Sequence, residues 1–299
     1  MRASDRQRLL GNFLNYVRAH GKEVERQSRE KLLYTSDFNR SIPFHHAATF
    51  DTLALDPVQK KEIMDDLQEF MEGEEFYKRA GRTWKRGYLL YGPPGTGKSS
   101  MIAAIANFTG YDVYDLELTG VSDNNDLRQL LMKTNNKSII VIEDIDCSLD
   151  LSDRASKSTH VSQNLHSKED GKKEDTSQVT LSGLLNFTDG LWSCCGSERI
   201  FVFTTNHIDK LDSALLRPGR MDMHILLSYC TFSAFKVLAK NYLEVLEHDL
   251  FEEIEREMEG SNLTPATISE ILTQHKKKPT IALEGVIAAL KSAKSETRS

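Results

Sequence analysis

The chain has 299 residues, with 38 Lys or Arg against 44 Asp or Glu, for a net charge of −6. That length allows one sizeable core with a smaller domain beside it. The acidic balance disfavours non-specific nucleic-acid binding, and no basic stripe interleaved with aromatics offers a platform for bases. Apolar runs extend only a few residues, far short of a membrane span, so the chain as given is expected to be soluble. Its four cysteines (Cys147, Cys194, Cys195 and Cys230) form no C-x-x-C pair, which points to a reducing compartment and no structural metal.

Arg2, Arg6, Arg8 and Arg18, with few acids between them, faintly resemble a transit peptide. Leu9, Leu10, Phe13, Leu14 and Val17 nevertheless fall at helical spacing, and Glu23, Glu25 and Lys31 continue the pattern with no cleavage-like break. We therefore read residues 1–32 as helix and 33–50 as an irregular connector. Asp56 is a capping residue and Pro57 suits a first turn, so the Ile63, Leu67, Phe70 stripe predicts a helix from Asp56 to Phe70. Short β-rich runs follow at Gly87–Tyr91, Tyr111–Leu116, Ser138–Glu143, Ile200–Thr205 and His224–Leu227, with helical pattern at Ser100–Phe108 and Asn125–Met132. Alternating strands and helices predict a parallel sheet covered on both faces. Ser148 to Gln178 is rich in Ser, Lys, Asp and Glu and reads as a disordered surface insertion. From Thr231 the period turns helical, over Phe232–Leu246, Leu250–Met258, Thr264–Thr273 and Ile281–Ala293, and the polar tail from Lys291 is expected to fray.

The chemistry concentrates in four places. Gly92-Pro-Pro-Gly-Thr-Gly-Lys-Ser99 fits G-x-x-x-x-G-K-[ST] between a strand and a helix. Glycines there let backbone N–H groups close on phosphate oxygens, Lys98 can reach the outer phosphates and Ser99 can bind Mg²⁺. Ile139-Ile-Val-Ile-Glu-Asp-Ile-Asp146 ends a buried strand in carboxylates, beside the phosphates in such a sheet. Phe201-Val-Phe-Thr-Thr-Asn206 offers an amide at the tip of another strand. Leu211-Asp-Ser-Ala-Leu-Leu-Arg-Pro-Gly-Arg-Met-Asp222 holds Arg217 and Arg220 around a rigid Pro-Gly turn, an arrangement able to stabilise a transferring phosphoryl group.

In that order, GPPGTGKS, IIVIEDID, TTN and LLRPGRMD resemble an AAA+ ATPase of the AAA clade, over about residues 50–290. The Glu143-Asp144 order, Phe44-His-His-Ala-Ala-Thr-Phe-Asp-Thr-Leu-Ala-Leu-Asp56 and Asn186-Phe-Thr-Asp-Gly-Leu-Trp192 look like the Bcs1-like branch with its plant relatives, and Phe13–Thr35 resembles the end of that branch's N-terminal region. The resemblance implies an α/β P-loop NTPase fold with a five-stranded parallel sheet followed by a small helical lid. Residues 1–50 would close the N-terminal region, 51–230 form the nucleotide-binding domain, 231–290 the lid and 291–299 a disordered tail. It assigns Gly92, Pro93, Pro94, Gly95, Thr96, Gly97, Lys98, Ser99 and Ser100 to the nucleotide, ATP with Mg²⁺. It places Mg²⁺ on Ser99 and Glu143, partly through water. Glu143, Asp144, Asn206, Arg217 and Arg220 become catalytic, the arginines acting on a neighbouring subunit's ATP in a homo-oligomeric ring of six or seven.

Three positions depart from the family pattern. Most AAA proteins read Asp-Glu where this chain reads Glu-Asp. Alternation along a strand would separate the two roles by order, metal at Glu143 and base at Asp144, yet Asp144 is a methylene shorter than the usual base, and which acid is the base stays open. Leu118-Thr-Gly-Val-Ser-Asp123 holds no aromatic where unfolding rings carry a pore aromatic, which fits a branch handling folded clients. The chain also begins after the point where relatives carry a membrane helix, so attachment to a membrane, in mitochondria or the ER, is implied only for full-length relatives. Besides a motor acting on a protein client, two readings stay open: a nucleotide-gated oligomeric scaffold with weak hydrolysis, and a small-molecule P-loop kinase, which the Arg-Pro-Gly-Arg turn and lid disfavour.

Overall fold

The computed structural model describes residues 13–14, 16–17, 21, 30–35, 38–148, 180–189 and 197–297. The expected surface insertion from Ser148 to Gln178 lies outside these residues except for Ser148, which ends a short helix, and so does most of the expected first helix. Phe13, Leu14, Tyr16 and Val17 are helical and exposed.

Seven strands form one sheet: β1 (Leu32–Tyr34), β2 (Ser41–Pro43), β3 (Lys85–Tyr91), β4 (Asp112–Asp115), β5 (Ser138–Ile142), β6 (Arg199–Thr205) and β7 (Met223–Leu226), in the order β2-β1-β4-β5-β6-β3-β7. The strands read from the sequence are β3 to β7, and all their pairings are parallel. The five-strand count is corrected by β1 and β2, which lie in the expected connector except for Leu32, expected as the end of the first helix and found in β1. β1 pairs parallel with β4, and β2 antiparallel with β1. These three-residue strands carry no periodic signal of their own. They form because Leu32 N donates to the Asp112 carboxylate (3.1 Å) and Tyr34 stacks on Tyr114 with ring centroids 4.3 Å apart, contacts made across some 80 residues.

The central strands show why the sheet is covered on both faces. Ile139 and Val141 of β5, Ile200 and Val202 of β6, and Tyr88 and Leu90 of β3 pack on one side. Ile140 and Ile142, Phe201 and Phe203, and Leu89 pack on the other. This is the strand's two-residue alternation with both sides apolar, as parallel sheets require. The first face is covered by α1 (Pro57–Glu72) through Ile63, Leu67 and Phe70, and by α3 (Lys98–Thr109); α2 (Glu74–Ala80) links α1 to β3. Asp56 caps α1 by accepting from Val58 N and Gln59 N, as its sequence predicts. The second face is covered by α4 (Asn124–Lys133), capped by Asp123, and α6 (Leu181–Asp189), while the short α5 (Ile145–Ser148) follows β5.

Beyond β7 come α7 (Phe232–Leu243), α8 (Phe251–Met258), α9 (Pro265–Gln274) and α10 (Pro279–Thr297), which share a separate core around Phe235, Leu238, Ile254, Ile268, Leu272, Leu283 and Leu290. α10 runs past Lys291, where fraying is expected from sequence. Its end is tied to α8 by Lys291–Glu253 (2.8 Å) and Lys294–Glu257 (3.1 Å) ion pairs.

Candidate functional site

β5, β6 and β3 are neighbours, parallel and in register, so their C-terminal ends open at one edge. Glu143–Asp144, Asn206 and the loop Gly92–Ser99 follow those ends, and topology alone brings them together. Glu143, Asp144, Asn206 and the Pro94–Ser99 part of the loop line a cleft of about 870 Å³, together with Ser100, Ala47 and Ala48 ahead of α1, and Tyr242, Pro265 and Ala266 from the helical part.

The loop takes backbone shapes that demand glycine. Gly92, Gly95 and Gly97 have φ of 140°, 78° and 99°. A Cβ on Gly92 would lie 1.9 Å from the Leu227 carbonyl oxygen, so that position excludes every side chain. Thr96 Oγ1 donates to the Pro93 carbonyl (2.8 Å) and folds the loop on itself. Pro94 lines the cleft, and Ala266 N donates to the Gly95 carbonyl (3.1 Å), which joins the loop directly to α9.

Lys98 and Ser99 open α3. Lys98 Nζ donates to the Gly92 carbonyl (2.8 Å), the Pro93 carbonyl (3.1 Å) and Asn206 Oδ1 (2.7 Å). Asn206 in turn donates from Nδ2 to Asp144 Oδ1 (3.2 Å). On the other side of the acidic pair, Ser99 Oγ donates to Glu143 Oε1 (3.3 Å). The two acids thus have different partners, though not through strand alternation. β5 ends at Ile142 and Asp144 takes a left-handed φ of 46°, with its N–H held by Thr204 Oγ1 (3.0 Å). A turn, and no pleat, separates the two side chains.

Burial draws the Lys98 ammonium below its ordinary value, against the pull of Asp144, Asp146 and Glu143. Burial and then the nearby Asp115 carboxylate push the Glu143 carboxyl above its ordinary range. Burial opposes the shift of Asp146, but the Thr205 hydroxyl, at 2.7 Å, leads the contacts that hold its carboxyl below the usual range. Asp146 therefore braces β6 and does not line the cleft.

Arg217 and Arg220 do not line the cleft. Arg217 is exposed, whereas Arg220 donates from Nη1 to the Ala214 carbonyl (2.5 Å) and its Nε lies 3.5 Å from Asp189 Oδ2. Two residues with no assigned role from sequence hold this turn. Asp222 accepts from Gly87 N (3.0 Å) and Gly219 N (2.8 Å), and a Cβ on Gly87 would lie 1.7 Å from the Arg220 carbonyl oxygen. A glycine inside a strand signals such a close approach, though only the fold names the partner.

The donor set suits a magnesium nucleotide. The loop has no room for side chains at Gly92, its lysine faces a carboxylate-linked amide, and a hydroxyl–carboxylate pair of the type that holds Mg²⁺ stands beside it.

Comparison with known proteins agrees with this geometry. Residues 88–229 match the AAA model, ATPase family associated with various cellular activities, and residues 230–299 match the At3g28540-like AAA+ ATPase lid domain. Curated relatives from Arabidopsis thaliana include AAA-ATPase At5g57480, 51% identical with 98% of this chain and 62% of the relative covered, and AAA-ATPase At4g25835, 52% identical with the same coverage. AAA-ATPase At4g30250 is 52% identical over 96% of this chain and 59% of its own length. The chain thus spans about three-fifths of the length of these relatives. With a phosphate loop, strand-end acids and helical lid in one cleft, the chain belongs to the AAA family of ATPases.

Proposed function

We propose that this chain binds ATP with Mg²⁺ in the cleft and hydrolyses it, as one subunit of a homo-oligomeric ring of six or seven that remodels or translocates a protein client. The α/β body over 51–230 carries the chemistry and the helical lid over 231–290 closes on it. The observation that carries the reading is the chain of contacts Lys98–Asn206–Asp144 beside the Ser99–Glu143 pair.

The backbone N–H groups of Gly95 to Ser99 and the start of α3 receive the phosphates. Lys98 exchanges its loop carbonyls for phosphate oxygens and stays charged there. Ser99 and Glu143 would hold Mg²⁺, partly through water, and the ion supplies charge neutralisation on the outer phosphates. Asp144 takes the proton of the attacking water and Asn206 orients that water, since its amide reaches both Asp144 and the lysine that marks the outer phosphate. Arg217, exposed on its turn, stabilises the developing charge in the next subunit's cleft, with Arg220 beside it.

Leu118 and Val121 are buried, and no aromatic stands between residues 118 and 123. Both facts support a ring that handles a folded client over one that grips an unfolded strand. The Bcs1-like features at 44–56 and 186–192 favour the same reading, with attachment to a mitochondrial or ER membrane through an N-terminal helix in full-length relatives. Among the described residues, no helix is long and apolar enough to cross a membrane.

The test is phosphate release from ATP by wild type, Lys98→Ala and Asp144→Asn. Loss of turnover in both variants supports the mechanism, and unchanged turnover in both removes it. A nucleotide-dependent rise in mass without phosphate release would make the protein a nucleotide-gated scaffold instead.

A further inference from the structure

The passage from the α/β body to the helical lid is short. Leu227 N still donates to the Tyr91 carbonyl of β3 (2.8 Å), and Cys230 N already donates to the Leu263 carbonyl within the lid (2.8 Å), so only Ser228 and Tyr229 lie between. A second stretch of chain crosses the same gap: the residues from Thr52 to Gln59 that lead into α1. Leu53 and Leu55 are buried in the core of the body, whereas Ala54 between them packs against the core of the lid.

Polar contacts fix this stretch on both sides. Gln59 Nε2 donates to the Leu226 carbonyl at the end of β7 (3.1 Å). On the lid side, Asn241 Nδ2 of α7 donates to the Thr52 carbonyl (3.0 Å), and Ser233 Oγ donates to Asp56 Oδ2 (3.5 Å). Ser233 Oγ also lies 2.9 Å from Oγ1 of Thr231, which caps α7, so one hydroxyl joins the cap of α7 to Asp56, the cap of α1.

A lid joined through two residues alone would swing about them, since a few such residues absorb the backbone rotation of a hinge. Here α1 is anchored to the sheet by Ile63, Leu67 and Phe70, so residues 52–59 cannot travel with the lid. Rotating α7 away from the body has to break the Asn241 and Ser233 contacts and lift the lid core off Ala54. The lid also reaches the phosphate loop, through Ala266 N and the Gly95 carbonyl (3.1 Å), so these contacts hold it seated on that loop.

We propose that residues 52–59 are a strap across the hinge, and that Asn241 and Ser233 are positioning residues that keep the lid seated through it and so slow the departure of nucleotide. This rests on the reading of the cleft as a nucleotide site and adds control over the rate at which that site empties.

The experiment follows hydrogen exchange of the full chain without nucleotide, and dissociation of a fluorescent ADP by stopped flow, in wild type, Ser233→Ala, Ser233→Thr and Asn241→Ala. Asn241 lines the cleft and Ser233 does not, so only the first can owe its effect to direct contact with nucleotide. The Leu53 and Leu55 amides, which donate to the Thr49 and Leu53 carbonyls, report on the strap. In each alanine variant they should exchange about three- to tenfold faster, the scale of one lost hydrogen bond, with α1 amides over 63–70 unchanged. ADP should leave faster by a similar factor in both, and Ser233→Thr, which keeps the hydroxyl, should match wild type. Faster release in Asn241→Ala alone, unchanged strap exchange, or faster exchange throughout the chain overturns the proposal and leaves the ATPase reading intact. Wild type that binds no ADP overturns both. Should Asn241→Ala fail to fold, as its melting curve would show, the two Ser233 variants decide alone.

Discussion

The cleft and the arginine turn are built on opposite plans. In the cleft, Lys98, Asn206 and Asp144 are already bonded in one chain of contacts and Ser99 and Glu143 in a pair beside it. At the turn, Arg220 is spent on its own scaffold, bound to the Ala214 carbonyl and near Asp189, while Arg217 stands exposed outside the cleft. The first arrangement is wired internally and needs only a ligand. The second is braced from behind, with Gly87 and Asp222 locking the turn to β3, and leaves Arg217 exposed. The contrast separates the arginines: Arg217 is the candidate finger, and Arg220 holds the turn that carries it.

The sharpest way to break that contrast is Arg217→Ala. An arginine finger supplies at least about 10³ in rate, so turnover should fall by that order while ATP affinity stays near wild type. Mixing Arg217→Ala chains with Asp144→Asn chains should restore part of the activity, because some interfaces then pair an intact cleft with an intact arginine. Turnover is measured across mixing ratios and protein dilution. A deficit that mixing never relieves would place the arginine's effect inside its own chain.

Next in size is Gly87→Ala. The added Cβ meets backbone, 1.7 Å from the Arg220 carbonyl oxygen, and backbone cannot turn aside as a side chain does. Overpacking of this kind costs about 1–3 kcal/mol, read as a lower denaturation midpoint, with turnover falling further than stability requires because the turn is displaced. Full stability and activity in this variant would show that the lock on β3 is dispensable. Arg220→Ala should cost less, about 1–2 kcal/mol for one lost carbonyl contact and a part-exposed ion pair. If it instead leaves stability untouched and abolishes turnover, the division of labour between the two arginines is reversed.

The sequence discloses the cleft far better than the turn, for a physical reason. β5 and β6 each carry an unbroken apolar run, Ile139–Ile142 and Ile200–Phe203, a local signature of a strand covered on both faces, and the glycines and lysine of the loop stand within eight residues of one another. What sequence misses is held by distant contacts. Asn107 and His46, Gly87 and Arg220, and Leu32 and Asp112 meet only once the sheet is assembled. The β1–β2 pair escapes because its three-residue strands owe their form to β4 and Tyr114. Strand alternation misleads at the acidic pair, since it stops at Ile142 and a left-handed turn takes over at Asp144. The tail beyond Lys291 has the composition of a frayed end, yet ion pairs to Glu253 and Glu257 extend the helix.

The smallest effect tests whether the cleft is wired in readiness for a cation. Glu143 holds its proton more tightly in the folded protein than the ordinary value of 4.5 implies, through burial first and the Asp115 carboxylate second. A carboxyl raised on folding stabilises the fold where it is protonated, and that contribution is lost as pH rises through the folded value. Above it the charged Glu143 is a net cost that Glu143→Gln removes. In chelator and without nucleotide, Glu143→Gln should therefore melt higher than wild type at pH 8, and the gap should close as pH falls toward 4.5. Mg²⁺ with nucleotide should reverse the ranking, because the cation binds the carboxylate that the amide lacks. A gap that persists unchanged below pH 4.5, or that survives magnesium nucleotide, would mean that Glu143 is strained for reasons of packing and not held in tension for a metal.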